Sequence, residues 1–286
     1  MNSPDIVFPN LGITLENVSR VAVSPFEFNI YFYGFLIAAG VSLAAAYALR
    51  EAKRTGQDPD IYISLLCWGL VGAFVGGRLY FVAFQWEAYR QNLAQIFMFR
   101  GGGLAIYGSV LGAVLVCCVY LRLRKLSIRQ HADTAIPTIL IGQAVGRWGN
   151  FFNREAYGGY TDGLFAMAMP AEDARGPITA EMIENMLIID GVPYIQVHPT
   201  FLYESLWCIA AFGALMLYKR RKKFPGELAV LYFAVYGFGR FFIEGLRADS
   251  LMLWGTSIPA SQLLSALLVL GSAAVIAFER KRFNAG

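Results

Sequence analysis

Charged side chains are scarce in this sequence. Lys, Arg, Asp and Glu make up 15% of its 286 residues, whereas a typical soluble domain carries about a quarter. This scarcity argues against a soluble globular protein. The two signs also nearly balance, with 24 Lys and Arg against 20 Asp and Glu, and no basic stripe interleaved with aromatic residues is visible. We therefore expect no nucleic-acid partner.

Histidine and cysteine are also rare. The two histidines, His131 and His198, argue against a zinc or haem centre, and the four cysteines lie inside apolar runs without any CxxC pair. We expect no metal, no cofactor and buried free thiols. The first residues lack the basic start and early apolar stretch of a cleaved signal peptide, so none is expected.

Long apolar runs dominate what is present, since 57% of the residues are hydrophobic. No charged side chain occurs from Ile30 to Leu49, from Gly101 to Leu121 or from Ser250 to Phe278. Each run reaches the ~20 residues that a helix needs to cross a bilayer. We predict an all-α integral membrane protein with seven transmembrane helices, at 29–49, 60–84, 101–121, 132–150, 199–218, 227–246 and 257–279.

The distribution of basic residues predicts how the chain is oriented. Fifteen Lys and Arg lie in the segments after the first, third, fifth and seventh predicted helices, and six lie on the opposite side. Because the more basic loops stay in the cytoplasm, we expect a periplasmic N-terminus and a cytoplasmic C-terminus. The chain is then a single membrane domain, 1–286, with a small periplasmic cap formed by the insert 151–198.

Ionisable residues interrupt the predicted helices at one level of the membrane. Counted at ~1.5 Å per residue, five of them fall in the outer half: Arg78, Arg147, Glu204, Arg240 and Glu244. Such residues face the bundle interior or water, because a charge at the bilayer centre costs at least ~2.5 kcal/mol.

Two interpretations of this polar layer are open. In the first, the charges simply neutralise each other, with Arg240 paired to Glu244 four residues away. In that case Glu204 pairs with Arg78. We favour a polar cavity with a surplus of arginine, because a guanidinium group binds phosphate through a rigid two-pronged contact and stays charged.

The run GRWGNFFNREAYG, from Gly146 to Gly158, resembles the signature of the bacterial prolipoprotein diacylglyceryl transferases. The family's other motifs have matches in the same order, and the resemblance covers nearly the whole chain. These matches are YG at 33–34, GGR at 76–78, GGL at 102–104, HPTFLYE at 198–204 and GRFFIEGLR at 239–247. The family's seven-span topology with the N-terminus outside agrees with the helices and orientation predicted above.

The resemblance implies an enzyme, a transferase that moves the diacylglyceryl group of phosphatidylglycerol onto a thiol. The acceptor is the lipobox cysteine of a prolipoprotein signal peptide; a thioether forms and glycerol 1-phosphate leaves, as the first step of lipoprotein maturation. The implied location is the bacterial cytoplasmic (inner) membrane, among membrane lipids, with the active site in the periplasmic half. The alternative is a transporter or channel for a small anion, although no internal repeat supports it.

Site residues follow from the resemblance by position. Arg147 is implied to hold the lipid phosphate, and Arg240 to contact lipid or stabilise the leaving phosphate. Asn150, Glu155 and Gly158 are implied to shape the headgroup site.

Three further positions are implied. Tyr33 and Glu244 match residues that the family treats as important. Tyr107, in the stretch IYGS, stands where the family frequently has the histidine of a pattern like FHGG. Tyr107 is implied to be catalytic. A phenol with a pKa of ~10 is a poor base at neutral pH, although neighbouring arginines would favour the phenolate. Because a thiol of pKa ~8.5 needs little help to ionise, we expect Tyr107 to orient lipid or thiol by hydrogen bonding.

Overall fold

The computed structural model describes residues 5–27, 29–98, 102–253, 255–256 and 258–284. Ten α-helices form within these ranges. They are α1 (Phe32–Arg54), α2 (Pro59–Phe84), α3 (Trp86–Tyr89), α4 (Ile106–Leu123), α5 (Ile128–Ala135), α6 (Ile139–Asn153), α7 (Ala180–Glu184), α8 (Thr200–Tyr218), α9 (Glu227–Leu246) and α10 (Ala260–Asn284). Gly101 and Ser257, where two predicted helices begin, lie outside the described residues.

Six of the described helices are long and apolar enough to cross a membrane: α1, α2, α4, α8, α9 and α10. The prediction of a multi-pass helical membrane protein is therefore confirmed. The predicted span at 132–150 has a different form, because α5 and α6 are separated by the 3-10 turn Ile136–Thr138. Pro137, at the centre of this turn, lacks the N–H that a continuous helix requires. Helix α6 has 15 residues, fewer than the ~20 that span a bilayer alone.

The chain divides into two compact units, one of residues 1–44 and 136–286 and a second of residues 45–135. In the second unit, α2 and α4 pack closely over glycines. A Cβ added at Gly112 would lie 2.9 Å from the Gly76 Cα and 3.0 Å from the Gly72 carbonyl carbon. Only glycine allows this approach of two helix backbones, the arrangement typical of small residues spaced four apart in membrane helices.

A β-sheet forms part of the first unit, which the predicted all-α class did not include. Its five antiparallel strands follow the order β2-β1-β5-β7-β6. They are β1 (Ile6–Phe8), β2 (Ile13–Leu15), β5 (Met167–Pro170), β6 (Leu187–Ile189) and β7 (Val192–Val197). A separate hairpin pairs β3 (Val21–Val23) with β4 (Ile30–Tyr31). The insert 151–198 therefore supplies three strands of a sheet that the N-terminal segment completes.

A buried ion pair fastens this sheet to the end of α6. Arg154, in the left-handed conformation with a φ of 54°, caps the helix. Its buried guanidinium donates a hydrogen bond of 2.9 Å to Asp5, beside β1. Beneath it the apolar core of the sheet contains Ile6, Met169 and Ile195, which are fully buried.

Helices α6, α8 and α9 share an apolar core that positions the residues above it. Leu140 and Ala144 of α6 pack with Cys208 and Ala211 of α8 and with Tyr232 of α9. Since residues three and four apart share a helix face, the next turns of the same faces carry the charged residues of the polar layer.

Candidate active site

Two arginines from different helices share one buried carboxylate. Arg147 on α6 contacts Glu204 on α8 at 2.7 Å, and Arg240 on α9 contacts the other oxygen of the same carboxylate at 2.8 Å. The Glu204 side chain is 2% exposed, and the Tyr236 hydroxyl donates to it at 3.3 Å. A buried carboxylate with two guanidinium partners is the centre of the polar layer.

Glu244 extends this cluster along α9. It forms an ion pair with Arg240 one turn away, so that the simple pair considered from the sequence exists within a larger network. The Ser250 hydroxyl, beyond the end of α9, donates to Glu244 Oε1 at 3.0 Å. Two arginines and two glutamates carry no net charge when all are ionised, so these four residues lack the surplus of positive charge that we expected.

The arginines nevertheless retain the means to bind an anion. The Arg147 side chain is 23% exposed and that of Arg240 14%. Among the described residues, the partner of the second terminal nitrogen of Arg147 is Asn150, at a long distance of 3.5 Å. A phosphate oxygen that reached this nitrogen would gain a charge-assisted hydrogen bond without breaking the Glu204 contact.

Asn150 and Glu155 lie beside Arg147 at the end of α6. The Asn150 amide donates to Glu155 at 3.0 Å, and Asn153 donates to the same oxygen at 3.1 Å. The Glu155 backbone N–H also bonds to the Asn150 carbonyl at 3.1 Å. These bonds fix both side chains at the C-terminus of α6, one turn from Arg147.

Gly158 joins the ends of two other helices through its backbone. Its N–H donates to the His198 carbonyl at 3.0 Å, and an added Cβ would lie 2.7 Å from the Leu246 carbonyl oxygen and 2.6 Å from the His198 Cβ. The beginning of α8 and the end of α9 meet here only because residue 158 has no side chain. Its place near the headgroup site implied by the resemblance is thus explained by close packing.

His198 is held beside Tyr203 at the start of α8. Its Nδ1 lies 3.4 Å from the Tyr203 hydroxyl. Burial lowers the pKa of His198 below its usual value, so the ring is neutral at pH 7. A neutral ring that packs against a tyrosine agrees with a structural turn at this position.

Tyr33 contacts α6 near the same end. Its ring lies against Gly149, where a Cβ would be 2.7 Å from the ring edge, while 39% of its surface stays exposed. The adjacent Phe32 stacks on Phe152 with ring centres 4.2 Å apart. Tyr33 therefore contacts α6 at Gly149, the residue directly before Asn150.

Arg78 and Tyr107 belong to the second unit. Arg78 is buried and donates to five backbone carbonyls of the segment after α3, at 2.7–3.1 Å: Gln95, Ile96, Met98, Gly102 and Gly103. Within the first unit Glu204 pairs with Arg147 and Arg240, whereas Arg78 binds backbone carbonyls of its own unit. Tyr107 lies in the first turn of α4 and is half exposed.

Comparisons with known proteins identify the family of this chain. The family model described as Prolipoprotein diacylglyceryl transferase matches residues 20–278. This chain belongs to that family. It is 40% identical over 274 residues to the phosphatidylglycerol–prolipoprotein diacylglyceryl transferase of Listeria welshimeri, covering 96% of this chain and 94% of the relative. The enzymes of the same name from Bacillus cytotoxicus and Clostridioides difficile are 41% and 39% identical, over 94% and 89% of this chain and 94% and 92% of theirs.

Membership of a transferase family favours the enzyme over the anion transporter. The family signature from Gly146 to Gly158 covers the end of α6 and the turn that leads into the sheet. The motif at 239–247 is the last turns of α9 and the residue after it. Each motif thus brings one arginine to the carboxylate of Glu204.

Three residues of the network were missed as site residues by the sequence analysis. Glu204 was recognised in the polar layer but not assigned to the site. Tyr236 lies four residues before Arg240, and this spacing on one helix face is a signal that was available. Ser250 follows α9 in an irregular segment, where no periodic pattern points to Glu244.

Proposed function

We propose that this protein transfers the diacylglyceryl group of phosphatidylglycerol to the lipobox cysteine thiol of prolipoproteins. A thioether forms and glycerol 1-phosphate leaves, as the first step of lipoprotein maturation. The proposal rests on family membership across nearly the whole chain. The one structural observation that supports it is the pair of partly exposed arginines on Glu204.

The residues of the network have a direct role in this chemistry. The acceptor reacts as a thiolate, the nucleophilic form of a cysteine whose ordinary pKa is ~8.5. As the C–S bond forms and the C–O bond to the phosphate breaks, negative charge grows on the leaving oxygen. Guanidinium groups fixed beside that oxygen stabilise the charge without reorganising. Arg147, the more exposed of the two, holds the phosphate, and Arg240 stabilises the leaving group.

The remaining residues shape the site around the headgroup. Asn150 and Glu155 offer polar contacts for the glycerol end of phosphatidylglycerol, whereas Gly158 allows α8 and α9 to approach. Tyr33 contacts the lipid beside α6. Glu244 orients Arg240 from the outer end of α9.

Tyr107 is expected to orient a substrate by hydrogen bonding. Loss of one such bond costs about 0.5–1.5 kcal/mol, so Tyr107→Phe should slow transfer by no more than about tenfold. Tyr107→His should retain substantial activity. The measurement is the rate of peptide modification from pH 6 to pH 10. Complete loss in Tyr107→Phe, together with a lost basic limb in Tyr107→His, would instead identify a phenolate base.

We also propose the orientation and location predicted from the basic residues. The protein crosses the bacterial inner membrane seven times as a single membrane domain, with α5, the 3-10 turn and α6 together as the broken fourth span. In this orientation the periplasmic side holds the N-terminus and the insert 151–198. The network of Arg147, Glu204, Arg240 and Glu244 lies toward the same side, and the C-terminus lies in the cytoplasm.

Reporter fusions test this orientation. Alkaline phosphatase, which is active only in the periplasm, should be active when fused after Gly176 and inactive after Lys222. Green fluorescent protein, which fluoresces only in the cytoplasm, should give the opposite pair of readings. Reversed readings at both sites would place the network in the cytoplasmic half of the membrane.

A direct assay tests the activity. Purified protein is incubated with vesicles of phosphatidylglycerol and a synthetic lipobox peptide, and the peptide is then weighed by mass spectrometry. We expect a gain of one diacylglyceryl group on cysteine, with release of glycerol 1-phosphate. A peptide with serine in place of cysteine, and vesicles of phosphatidylcholine, should give no product. Anion flux through the reconstituted protein without any peptide modification would support the transporter instead.

A further inference from the structure

Helix α8 is tied to both of its neighbours at the residues next to Glu204. The Ser205 hydroxyl donates to the Ala144 carbonyl of α6 at 2.9 Å, and the Trp207 indole N–H donates to the Val235 carbonyl of α9 at 2.8 Å. Glu204 thus lies one residue from the first of these bonds and three from the second. Both join a side chain to a backbone carbonyl inside another helix.

The two carbonyls belong to the helix segments that carry the arginines. Ala144 lies three residues before Arg147, and Val235 lies five residues before Arg240. Because an α-helix repeats every ~3.6 residues, each bond lies close to the turn that holds its arginine. A backbone carbonyl cannot change rotamer, so each bond fixes the position of the helix itself.

The contact with α6 is reinforced on its other side. The Trp148 indole N–H donates to the Ser205 hydroxyl at 3.2 Å, so this hydroxyl accepts one bond from α6 and donates another to it. Ser205 is 2% exposed. Trp148 directly follows Arg147 in the chain, which brings this bond to the same turn as the arginine.

The contact between Trp207 of α8 and helix α9 depends on a glycine, Gly239. A Cβ added at Gly239 would lie 2.5 Å or less from three atoms of the Trp207 indole ring. The ring therefore packs directly on the backbone of the residue before Arg240. Any side chain at residue 239 must displace either the indole or the helix.

We propose that Ser205 and Trp207 are positioning residues that set the distances of α6 and α9 from α8. They hold the two guanidinium groups on Glu204 so that both face one lipid phosphate. This inference rests on the proposed function, and it assigns a role to residues that do not touch the reacting atoms.

A double-mutant cycle between Trp207 and Gly239 tests the proposal. Gly239→Ala should lower kcat about a hundredfold, the effect that a displacement of ~1 Å has on a catalytic group. Trp207→Leu and Trp207→Phe, which lose the hydrogen bond but not the packing site, should each lower kcat about two- to tenfold. In the Trp207→Leu background, where the indole is absent, Gly239→Ala should cost less than about threefold.

Two controls accompany the cycle. Trp68→Phe changes an exposed tryptophan of α2. Gly213→Ala adds a methyl group to α8 where, beyond the adjacent backbone of the helix itself, no atom of the described residues lies within 4 Å. Both should leave kcat unchanged. A further test variant, Ser205→Ala, removes both hydrogen bonds of this hydroxyl to α6 and should lower kcat by about five- to a hundredfold. In every variant the KM for the lipobox peptide should stay constant, because the proposed role of these residues concerns the lipid phosphate.

Equilibrium binding of a fluorescent phosphatidylglycerol provides a second readout that needs no transfer step. Affinity should fall in Gly239→Ala and recover in the double variant with Trp207→Leu. Wild-type kcat and affinity in Gly239→Ala would overturn the proposal, as would a double variant no better than Gly239→Ala. Wild-type protein that binds the lipid but transfers nothing would contradict the proposed function alone, and the binding cycle would still decide the positioning role.

Discussion

Arg147→Ala is expected to abolish diacylglyceryl transfer while leaving the protein folded in the membrane. Removing one preorganised donor from a developing oxyanion costs about 10²–10³-fold in kcat, and Arg147 offers a charged donor with two nitrogens. Arg240→Ala should have an effect of the same size. Arg147→Lys should also be severely impaired, because an ammonium group cannot make a two-pronged phosphate contact. The measurement is the initial rate of peptide modification per folded enzyme.

A matched arginine outside the network provides the control. Arg90 forms an exposed pair with Glu87 at 2.7 Å, so Arg90→Ala removes the same group from a solvated position. Its turnover should equal that of the wild type. Normal turnover in either Arg147→Ala or Arg240→Ala would remove these residues from the phosphate site.

Glu204→Ala should impair both activity and stability. It leaves two arginines without their shared carboxylate, and breaking a buried ion pair in this way costs about 3–5 kcal/mol. Because both guanidinium groups also lose their orientation, we expect kcat per folded molecule to fall at least about a hundredfold. Glu204→Gln keeps one hydrogen-bond acceptor and should be less impaired. Thermal unfolding in detergent and the peptide assay measure the two effects.

A variant of Glu227 serves as a control that is expected to change stability but not catalysis. Glu227 is fully buried at the start of α9 and pairs with Arg280 at 2.5 Å, far along the helix from Arg240. Glu227→Ala should therefore lower the unfolding temperature to a similar degree without changing kcat of the folded protein. An equal loss of kcat in both glutamate variants would mean that Glu204 acts only through stability.

The membrane helices could be predicted from the sequence because their signal is local. A helix that crosses lipid needs ~20 consecutive apolar residues, and this requirement can be counted along the chain. The predicted helix at 227–246 has the same bounds as α9, and the one at 60–84 differs from α2 by one residue. Pro137 was a signal for a break in the fourth predicted helix. The apolar residues around it nevertheless fitted a continuous helix over 132–150.

The sheet could not be predicted, because its strands are short and their partners are distant. β1 pairs with β2 close to it in the chain and with β5 far from it. A strand of three residues carries almost no periodic signal. Its place is decided by the apolar side chains of the insert, which it covers.

Sequence motifs identified both arginines and Glu244, since their chemistry is a property of residue type and spacing. The ion-pair partners of these charged residues could not be predicted from the sequence. From depth alone, Arg78 was the partner considered for Glu204, and three arginines against two glutamates predicted a surplus of positive charge. The packing of the helices determines these partners, because α8 lies between α6 and α9. Ser205, Trp207 and the absence of a side chain at Gly239 allow Glu204 to contact Arg147 and Arg240. A carboxylate pairs with the charges that its neighbouring helices bring within ~3 Å, and the order in which helices pack is a property of the folded chain rather than of any one segment.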